Sequence, residues 1–186
     1  CKLERNLFMK KAISPRRLCA AALMLALGVV LPQAFHAFGG RAVAGILLPM
    51  HIPVLLGGLL LGPYWGLALG VLCPLLSSLV TGMPPMDRLP LMLCELAIYG
   101  LVAGFCMAKK CNVFLSLLAA QVLGRIAYSL ALLFCTGLLD MDLPPVATVW
   151  TAFLAGVPGL VIQWAFLPAL VLLTKRVIDL EPCPSK

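Results

Sequence analysis

The chain of 186 residues is 62% hydrophobic and only 11% charged, with a mean hydropathy of +1.07. Soluble domains average about 45–50% apolar and about 25% charged residues, so this composition excludes a water-soluble enzyme, a secreted disulfide scaffold and a disordered tail. The formal net charge of +7 is explained by membrane topology, as the positions of the basic residues indicate, and requires no nucleic-acid partner.

Six apolar segments, each bounded by charges or by proline and glycine clusters, are predicted to cross the membrane. A membrane-spanning helix needs about 20 mostly apolar residues, so six spans use nearly the whole chain. We therefore predict an all-α integral membrane protein, with one six-helix domain at 14–176 between cytoplasmic segments 1–13 and 177–186. In chain order the predicted spans are Leu18–Phe38, Ala44–Leu61, Trp65–Thr81, Leu89–Met107, Val113–Leu139 and Val146–Thr174.

The first segment is predicted to be a retained helix rather than a signal peptide, because no small-residue cleavage site follows its apolar run. Met9-Lys10-Lys11 is typical of a natural start, so residues 1–8 are expected to be an upstream extension without function. Ala22 and Ala26 are four residues apart and form a face of small side chains. Such a face permits close helix approach, either within the bundle or to another membrane protein.

The second and third segments are short and joined by the tight turn Gly62-Pro63, which predicts a helical hairpin. Pro49 and Pro53 remove backbone donors and are expected to kink the second segment. His51 lies between them. We expect its side chain to satisfy backbone groups that the prolines free, with pocket lining as the alternative.

Basic residues are concentrated on one side of the predicted spans, which places both termini in the cytoplasm. Arg41 and Arg88 are predicted to lie outside, and Arg125 falls within the fifth span. The cytoplasmic set also attracts anionic lipid head groups of the bilayer. It contains eleven of the 14 lysines and arginines, namely Lys2, Arg5, Lys10, Lys11, Arg16, Arg17, Lys109, Lys110, Lys175, Arg176 and Lys186.

The predicted outer loops are longer and richer in proline, glycine and charge than the inner turns. They lie around Phe38–Arg41, Thr81–Arg88 and Leu139–Pro145, whereas the inner connections at Gly62-Pro63 and Lys109-Lys110 are minimal. Elaborate loops over a compact bundle indicate a pocket that opens outward. The alternative is that the prolines only cap helices.

Charged side chains at membrane depth are costly, so Glu95 and Arg125 are candidates for substrate contact. Other polar and aromatic side chains recur at helical spacing near them. The alternative is that Glu95 and Arg125 only pair to hold the helices together. Their depths, about 9 Å and about 21 Å from the outer ends of their predicted spans, favour substrate contact. The predicted substrate-binding residues are Phe38, Arg41, His51, Glu95, Tyr99, Gln121, Arg125, Tyr128, Gln163 and Trp164.

Motifs of catalysis and of ATP hydrolysis are absent from the sequence. There is no His-Glu-x-x-His, no Gly-x-Ser-x-Gly and no phosphate-cradling glycine loop. The eight cysteines form no Cys-x-x-Cys pair or Cys/His cluster, so we expect no disulfide, no metal and no cofactor. Binding, or transport powered by partner subunits, is the function that remains.

Five runs of the sequence form a recognisable pattern: Leu48-Pro49-Met50-His51-Ile52-Pro53-Val54-Leu55-Leu56-Gly57-Gly58, Leu61-Gly62-Pro63, Ser77-Ser78-Leu79-Val80-Thr81-Gly82-Met83-Pro84-Pro85, Glu95-Leu96-Ala97-Ile98-Tyr99-Gly100 and Ala22-x-x-x-Ala26. They resemble the substrate-binding S components of energy-coupling factor (ECF) vitamin transporters, and the resemblance covers nearly the whole chain from Ser14 to Arg176. The resemblance implies six spans, high-affinity capture of a vitamin from outside, and association with a transmembrane T component and two cytoplasmic ATPases. It also implies that Ala22 and Ala26 dock the T component and that the S component topples in the membrane.

Pantothenate is the first substrate predicted, because a buried arginine favours a carboxylate through charge-assisted hydrogen bonds. That preference requires that Glu95 does not neutralise Arg125. Folate, a pyridoxine-type vitamin and a cobalamin-like corrinoid stay open. The alternative function is a small structural or enzymatic membrane subunit with no transport role.

Overall fold

The computed structural model describes residues 15–138 and 147–180, and within them the chain is helical. Side chains are described for these residues except 38, 41–45, 138, 147–150, 152–153 and 175–180. The helices are α1 (Pro15–Leu47), α2 (His51–Leu61), α3 (Pro63–Thr81), α4 (Leu89–Ala108), α5 (Val113–Leu138) and α6 (Ala147–Leu180). The predicted all-α membrane bundle is confirmed.

Five stretches of the described helices are long and apolar enough to cross a bilayer. They agree with the predicted first, third, fourth, fifth and sixth spans to within a few residues, except that the last stretch begins eight residues later than predicted. The stretches are Pro15–Ala37, Pro63–Thr81, Leu89–Ala108, Val113–Gly137 and Leu154–Thr174.

The second predicted span, Ala44–Leu61, forms a shorter helix with different bounds. The region Phe38–Arg41, predicted as an outer loop, is instead part of α1, which continues to Leu47 past a kink at Gly40 (φ 68°). The chain then breaks at Leu48, where φ is 49°, and α2 starts at His51. With 11 residues, α2 is only about 16 Å long, against the ~30 Å of the hydrocarbon core.

Proline chemistry explains why the predicted kink becomes a complete break. The residue before a proline is disfavoured in the α conformation, which ends α1 ahead of Pro49. Pro53 is the third residue of α2, within the first turn, where a missing backbone N–H costs no helical hydrogen bond. Most of α2 is buried inside the bundle, so its short length is compatible with a membrane interior.

The hairpin between α2 and α3 forms as predicted. Gly62 has φ 103° and ψ 178°, a conformation that side-chain-bearing residues rarely adopt, and its N–H donates to the Gly58 carbonyl at 3.0 Å. Pro63 then opens α3, where its fixed φ suits the first helical position.

Glycines bring α3 and α4 into backbone contact. A Cβ at Gly66 or Gly100 would overlap the backbone of the other glycine, and one at Gly70 would overlap the carbonyl of Leu96. Both helices carry small residues at four-residue spacing, the pattern by which membrane helices approach closely. The four-residue spacing of these glycines can be read from the sequence, but which helix packs against them cannot. This contact fixes the rotation of α4, and with it the direction of Glu95.

The α4–α5 turn ends α4 with a Schellman motif. Lys110 has φ 60°, its N–H donates to the Met107 carbonyl at 3.0 Å, and the Cys111 N–H donates to the Cys106 carbonyl at 3.0 Å. The turn is short, so α4 and α5 run antiparallel side by side. Residues equally far from the turn on the two helices therefore face each other.

Candidate functional site

A cavity of about 700 Å³ lies at the end of the bundle where the α1–α2 break and the α3–α4 connection meet. In the orientation predicted from the basic residues, this end faces the outside of the cell. The loop from Gly82 to Arg88 forms much of its wall, and residues from each of the helices α1 to α5 complete it. Its lining residues are Pro32, His36, Leu48, Pro49, Met50, His51, Ser77, Gly82, Met83, Pro84, Pro85, Asp87, Arg88, Met92, Glu95, Arg125 and Tyr128.

Three ionisable side chains from three different helices meet in the cavity lining, and we call them the charged cluster: His51, Glu95 and Arg125. Arg125 Nη1 lies 3.2 Å from Glu95 Oε1, and His51 Nε2 lies 3.8 Å from the same oxygen. The side chains of His51 and Glu95 are 3% and 4% exposed, and that of Arg125 is 17% exposed. The His51 ring also meets the edge of Tyr99, with ring centroids 5.1 Å apart.

The expectation that Glu95 and Arg125 sit at different depths is wrong. Depth was measured from the outer ends of the spans, but α5 is 26 residues long and α4 only 20. Measured from their shared inner turn, Glu95 is 13 residues from the end of α4 and Arg125 is 12 residues into α5. At ~1.5 Å per residue both lie about 18–20 Å from the turn, so the two side chains pair.

His51 lines the cavity rather than satisfying backbone groups freed by the prolines. Among the described residues, neither of its ring nitrogens has a hydrogen-bond partner of standard geometry, and nor does Glu95 Oε1. The break at Pro49 is what brings His51 here, because it makes His51 the first residue of α2 at the level of Glu95. Buried polar atoms without partners are uncommon and need a physical explanation.

Hydroxyl groups at the end of α3 pin the loop that forms the cavity wall. Ser77 Oγ donates to the Met83 carbonyl at 2.7 Å, and Ser78 Oγ donates to the Pro84 carbonyl at 2.9 Å. Gly82 ends the helix with φ 69°. The wall is therefore held in place before any ligand arrives. Sequence reasoning quoted Ser77 and Ser78 only as part of a resemblance and missed this role.

Pro32, His36 and Met92 also line the cavity and were not among the predicted substrate-binding residues. Met92 precedes Glu95 by three residues and shares its helix face, a signal that the spacing rule applied to Glu95 and Tyr99 would have found. Tyr128 was predicted and does line the cavity.

Four of the predicted residues do not line this cavity: Tyr99, Gln121, Gln163 and Trp164. Tyr99 is fully buried against the backbone of Gly124. The other three link α5 to α6 in an interhelix cluster. Gln121 Nε2 donates to Gln163 Oε1 at 3.2 Å, and Trp164 Nε1 donates to Gln121 Oε1 at 2.7 Å. Gln121 is one helical turn closer to the inner turn than Arg125, which places it deeper than the cavity.

The remaining predictions have different outcomes. The side chains of Phe38 and Arg41 lie outside the described part of the structure, as does the predicted outer loop after Leu138. Ala22 and Ala26 are exposed on α1, available to a partner, and their docking role stays a prediction.

Among the described residues, no three His, Cys, Asp or Glu side chains are grouped closely enough to hold a metal. The arrangement is suited to recognising a polar ligand.

Comparison with known proteins supports this interpretation. The family model for the substrate-specific component of ECF transporters matches residues 16–172. No curated protein and no solved structure matches the chain significantly. The family match covers most of the chain, including every described residue that lines the cavity. This chain therefore belongs to the family of substrate-specific components of ECF transporters.

Proposed function

We propose that this chain captures a vitamin or related micronutrient from outside the cell in the cavity between the Gly82–Arg88 loop and the charged cluster. As a substrate-specific component, it is a multi-pass protein of the cell membrane that binds a transported molecule and works with a T component and ATPases. The observation that carries the proposal is a cavity lined by three largely buried ionisable side chains. Such side chains in a membrane interior are expensive and mark substrate pathways.

The size of the cavity suits a single small molecule. Pockets for drug-sized ligands measure about 300–1,000 Å³, and this cavity has about 700 Å³. Pantothenate, folate and a pyridoxine-type vitamin are all small enough to be enclosed. A cobalamin-like corrinoid is larger and would extend beyond the cavity, so the three smaller candidates are favoured.

The charge of the cavity changes the order of these candidates. Pantothenate was favoured because a buried arginine binds carboxylates, on the condition that Glu95 leaves Arg125 without an acidic partner. Arg125 lies 3.2 Å from Glu95 Oε1, and the condition is not met. Arg125 therefore gives no preference for a carboxylate, and pantothenate is no longer favoured over folate or a pyridoxine-type vitamin.

Capture is aided by a wall that is already in position. Because Ser77 and Ser78 hold the loop at Met83 and Pro84, binding does not have to pay for ordering this segment. We propose that the loaded protein then docks the T component through Ala22 and Ala26 on α1. ATP hydrolysis in the partner ATPases would power release to the cytoplasm.

The first test is native mass spectrometry of the full chain purified in mild detergent, followed by thermal unfolding with a panel of vitamins. We expect a co-purified small molecule, or a rise in melting temperature with one class of vitamin. A protein that carries no small molecule and is stabilised by none of the panel would contradict the proposal. That result would favour the alternative of a small structural or enzymatic membrane subunit.

A further inference from the structure

The charges that line the cavity are balanced among its described residues. Deep in the cavity, Glu95 is paired with Arg125. At the mouth, Asp87 and Arg88 are neighbours in the chain and both line the cavity, where they are exposed. The described lining thus offers two cations, two anions and the imidazoles of His36 and His51. A site for a simple anion or a simple cation would carry an excess of the opposite charge.

The buried pair penalises a ligand with a single charge. A ligand carboxylate that drew Arg125 away would deprive Glu95, whose side chain is 4% exposed, of its closest cationic partner. A simple cation at Glu95 would have to compete with Arg125 and His51 for the same carboxylate oxygen. Removing one member of a buried ion pair is strongly unfavourable, because the remaining charge has neither water nor a partner.

Some buried polar atoms of the charged cluster lack a hydrogen bond of standard geometry, and they show which ligand groups the cavity can accommodate. Glu95 Oε1 accepts no hydrogen bond of standard geometry from the described residues, and both nitrogens of His51 are without one. Glu95 can accept from a ligand donor, while His51 or Arg125 can donate to a ligand acceptor. The two positions are close, because His51 Nε2 is 3.8 Å from Glu95 Oε1.

Apolar and aromatic side chains cover the rest of the cavity near the cluster. Met83, Pro84, Met92 and Tyr128 line it. Thioether and aromatic groups pack well against the faces of flat rings. The polar edge of a ring could then face Glu95 and His51 while its faces contact these residues.

We propose that the cavity recognises a neutral or zwitterionic planar heterocycle through an adjacent hydrogen-bond donor and acceptor, with Glu95 accepting and His51 or Arg125 donating. A lactam and an aminopyrimidine have such an edge, as do the neighbouring 3-hydroxyl and 4-hydroxymethyl groups of pyridoxine, and an isolated carboxylate does not. This inference rests on the proposed function, since it names the ligand class of the same cavity.

The test compares ligands that differ in a carboxylate but share the remainder of the molecule. Pyridoxine and 4-pyridoxic acid form one pair, and pantothenol and pantothenate form the other. Binding is measured by isothermal titration with the full chain in detergent. We expect pyridoxine to bind at least tenfold more tightly than 4-pyridoxic acid, and pantothenate to gain nothing over pantothenol.

Glu95→Gln makes the test specific to the proposed contact. This variant removes the anion 3.2 Å from Arg125, so we expect affinity for pyridoxine to fall at least tenfold and affinity for the carboxylates to rise. Cys94→Ala is the matched control, because Cys94 is adjacent in α4 but exposed on the outer face. The control should bind as the wild type does. The comparison of ligands on wild-type protein stands even if Glu95→Gln does not fold.

Two outcomes separate this inference from the proposed function. Tighter binding of 4-pyridoxic acid or pantothenate by the wild type, unchanged in Glu95→Gln, would overturn the inference and leave a vitamin-binding protein. No binding of any of the four compounds, together with no co-purified molecule and no stabilisation by the wider vitamin panel, would overturn the proposed function itself.

Discussion

Arg125 Nη1 lies 3.2 Å from Glu95 Oε1 because both residues are nearly equidistant from the turn that joins α4 to α5. The pair crosses the most buried part of the cavity lining and ties two antiparallel helices together. Glu95 also lies 3.8 Å from His51 at the start of α2. One carboxylate thus organises groups from three helices, and its removal should affect both stability and binding.

Removing the cation alone should destabilise the protein more than removing both charges. We expect Arg125→Met to cost about 3–5 kcal/mol, because it removes the closest cationic partner of the buried Glu95. The double variant Glu95→Gln with Arg125→Met should recover most of that loss. Thermal unfolding in detergent measures both, with Cys94→Ala as the control. A double variant less stable than Arg125→Met would show that the pair itself supplies the stability.

Adding a methyl group between α3 and α4 should disrupt their packing. In Gly66→Ala and Gly100→Ala the new Cβ would overlap the backbone of the facing glycine, and we expect a loss of about 1–3 kcal/mol from overpacking. Gly137→Ala is the matched control, since nothing lies within 4 Å of its position. The measurement is the melting temperature of each of the three variants in detergent. Equal stability of all three would mean that the helices can separate at no cost.

Releasing the loop should weaken ligand binding without unfolding the bundle. The double variant Ser77→Ala with Ser78→Ala removes the hydrogen bonds to Met83 and Pro84, each worth about 1 kcal/mol. We expect faster ligand dissociation and a several-fold weaker affinity in titrations. Ser116→Ala is the control, because its hydroxyl donates to the carbonyl of Asn112, the residue before α5, far from this loop in the chain. Unchanged dissociation in the double variant would show that the loop is held by other contacts.

The cluster between α5 and α6 should support stability and not recognition. Gln121→Leu breaks the bonds to Gln163 and Trp164, and interhelix hydrogen bonds in membranes contribute about 0.6 kcal/mol on average. We expect a small fall in melting temperature and unchanged ligand affinity, since Gln121 does not line the cavity. A tenfold loss of affinity would restore the sequence-based prediction that these residues contact the substrate.

The exposed alanines of α1 should matter for assembly alone. Ala22→Trp with Ala26→Trp places bulk on a face that permits close helix approach, so we expect loss of co-purification with the T component and normal ligand affinity. Leu130→Trp is the control, because Leu130 is equally an exposed apolar position, on α5. Normal co-purification of the alanine variant would remove the docking assignment.

Local composition accounts for what could be predicted about the fold. Hydropathy, charge and the proline and glycine clusters act over one helix at a time, and they were enough for the membrane class, the approximate bounds of five of the six spans and the α2–α3 hairpin. The failure at α2 has the same origin. Pro49 and Pro53 show that the helix is disturbed there, but whether the chain bends or breaks depends on the surrounding helices that bury it.

Composition and residue spacing were sufficient to predict an all-α membrane bundle and to identify Glu95, Arg125 and His51 as polar side chains within it. They could not show that these three side chains meet, that Met92 and Tyr128 lie beside them in the cavity, or that Gln121 bonds instead to Gln163 and Trp164. The physical reason is that hydropathy reports the environment of a helix as a whole. Which faces meet is set by packing, here by glycine contacts between α3 and α4 and by the length of the α4–α5 turn.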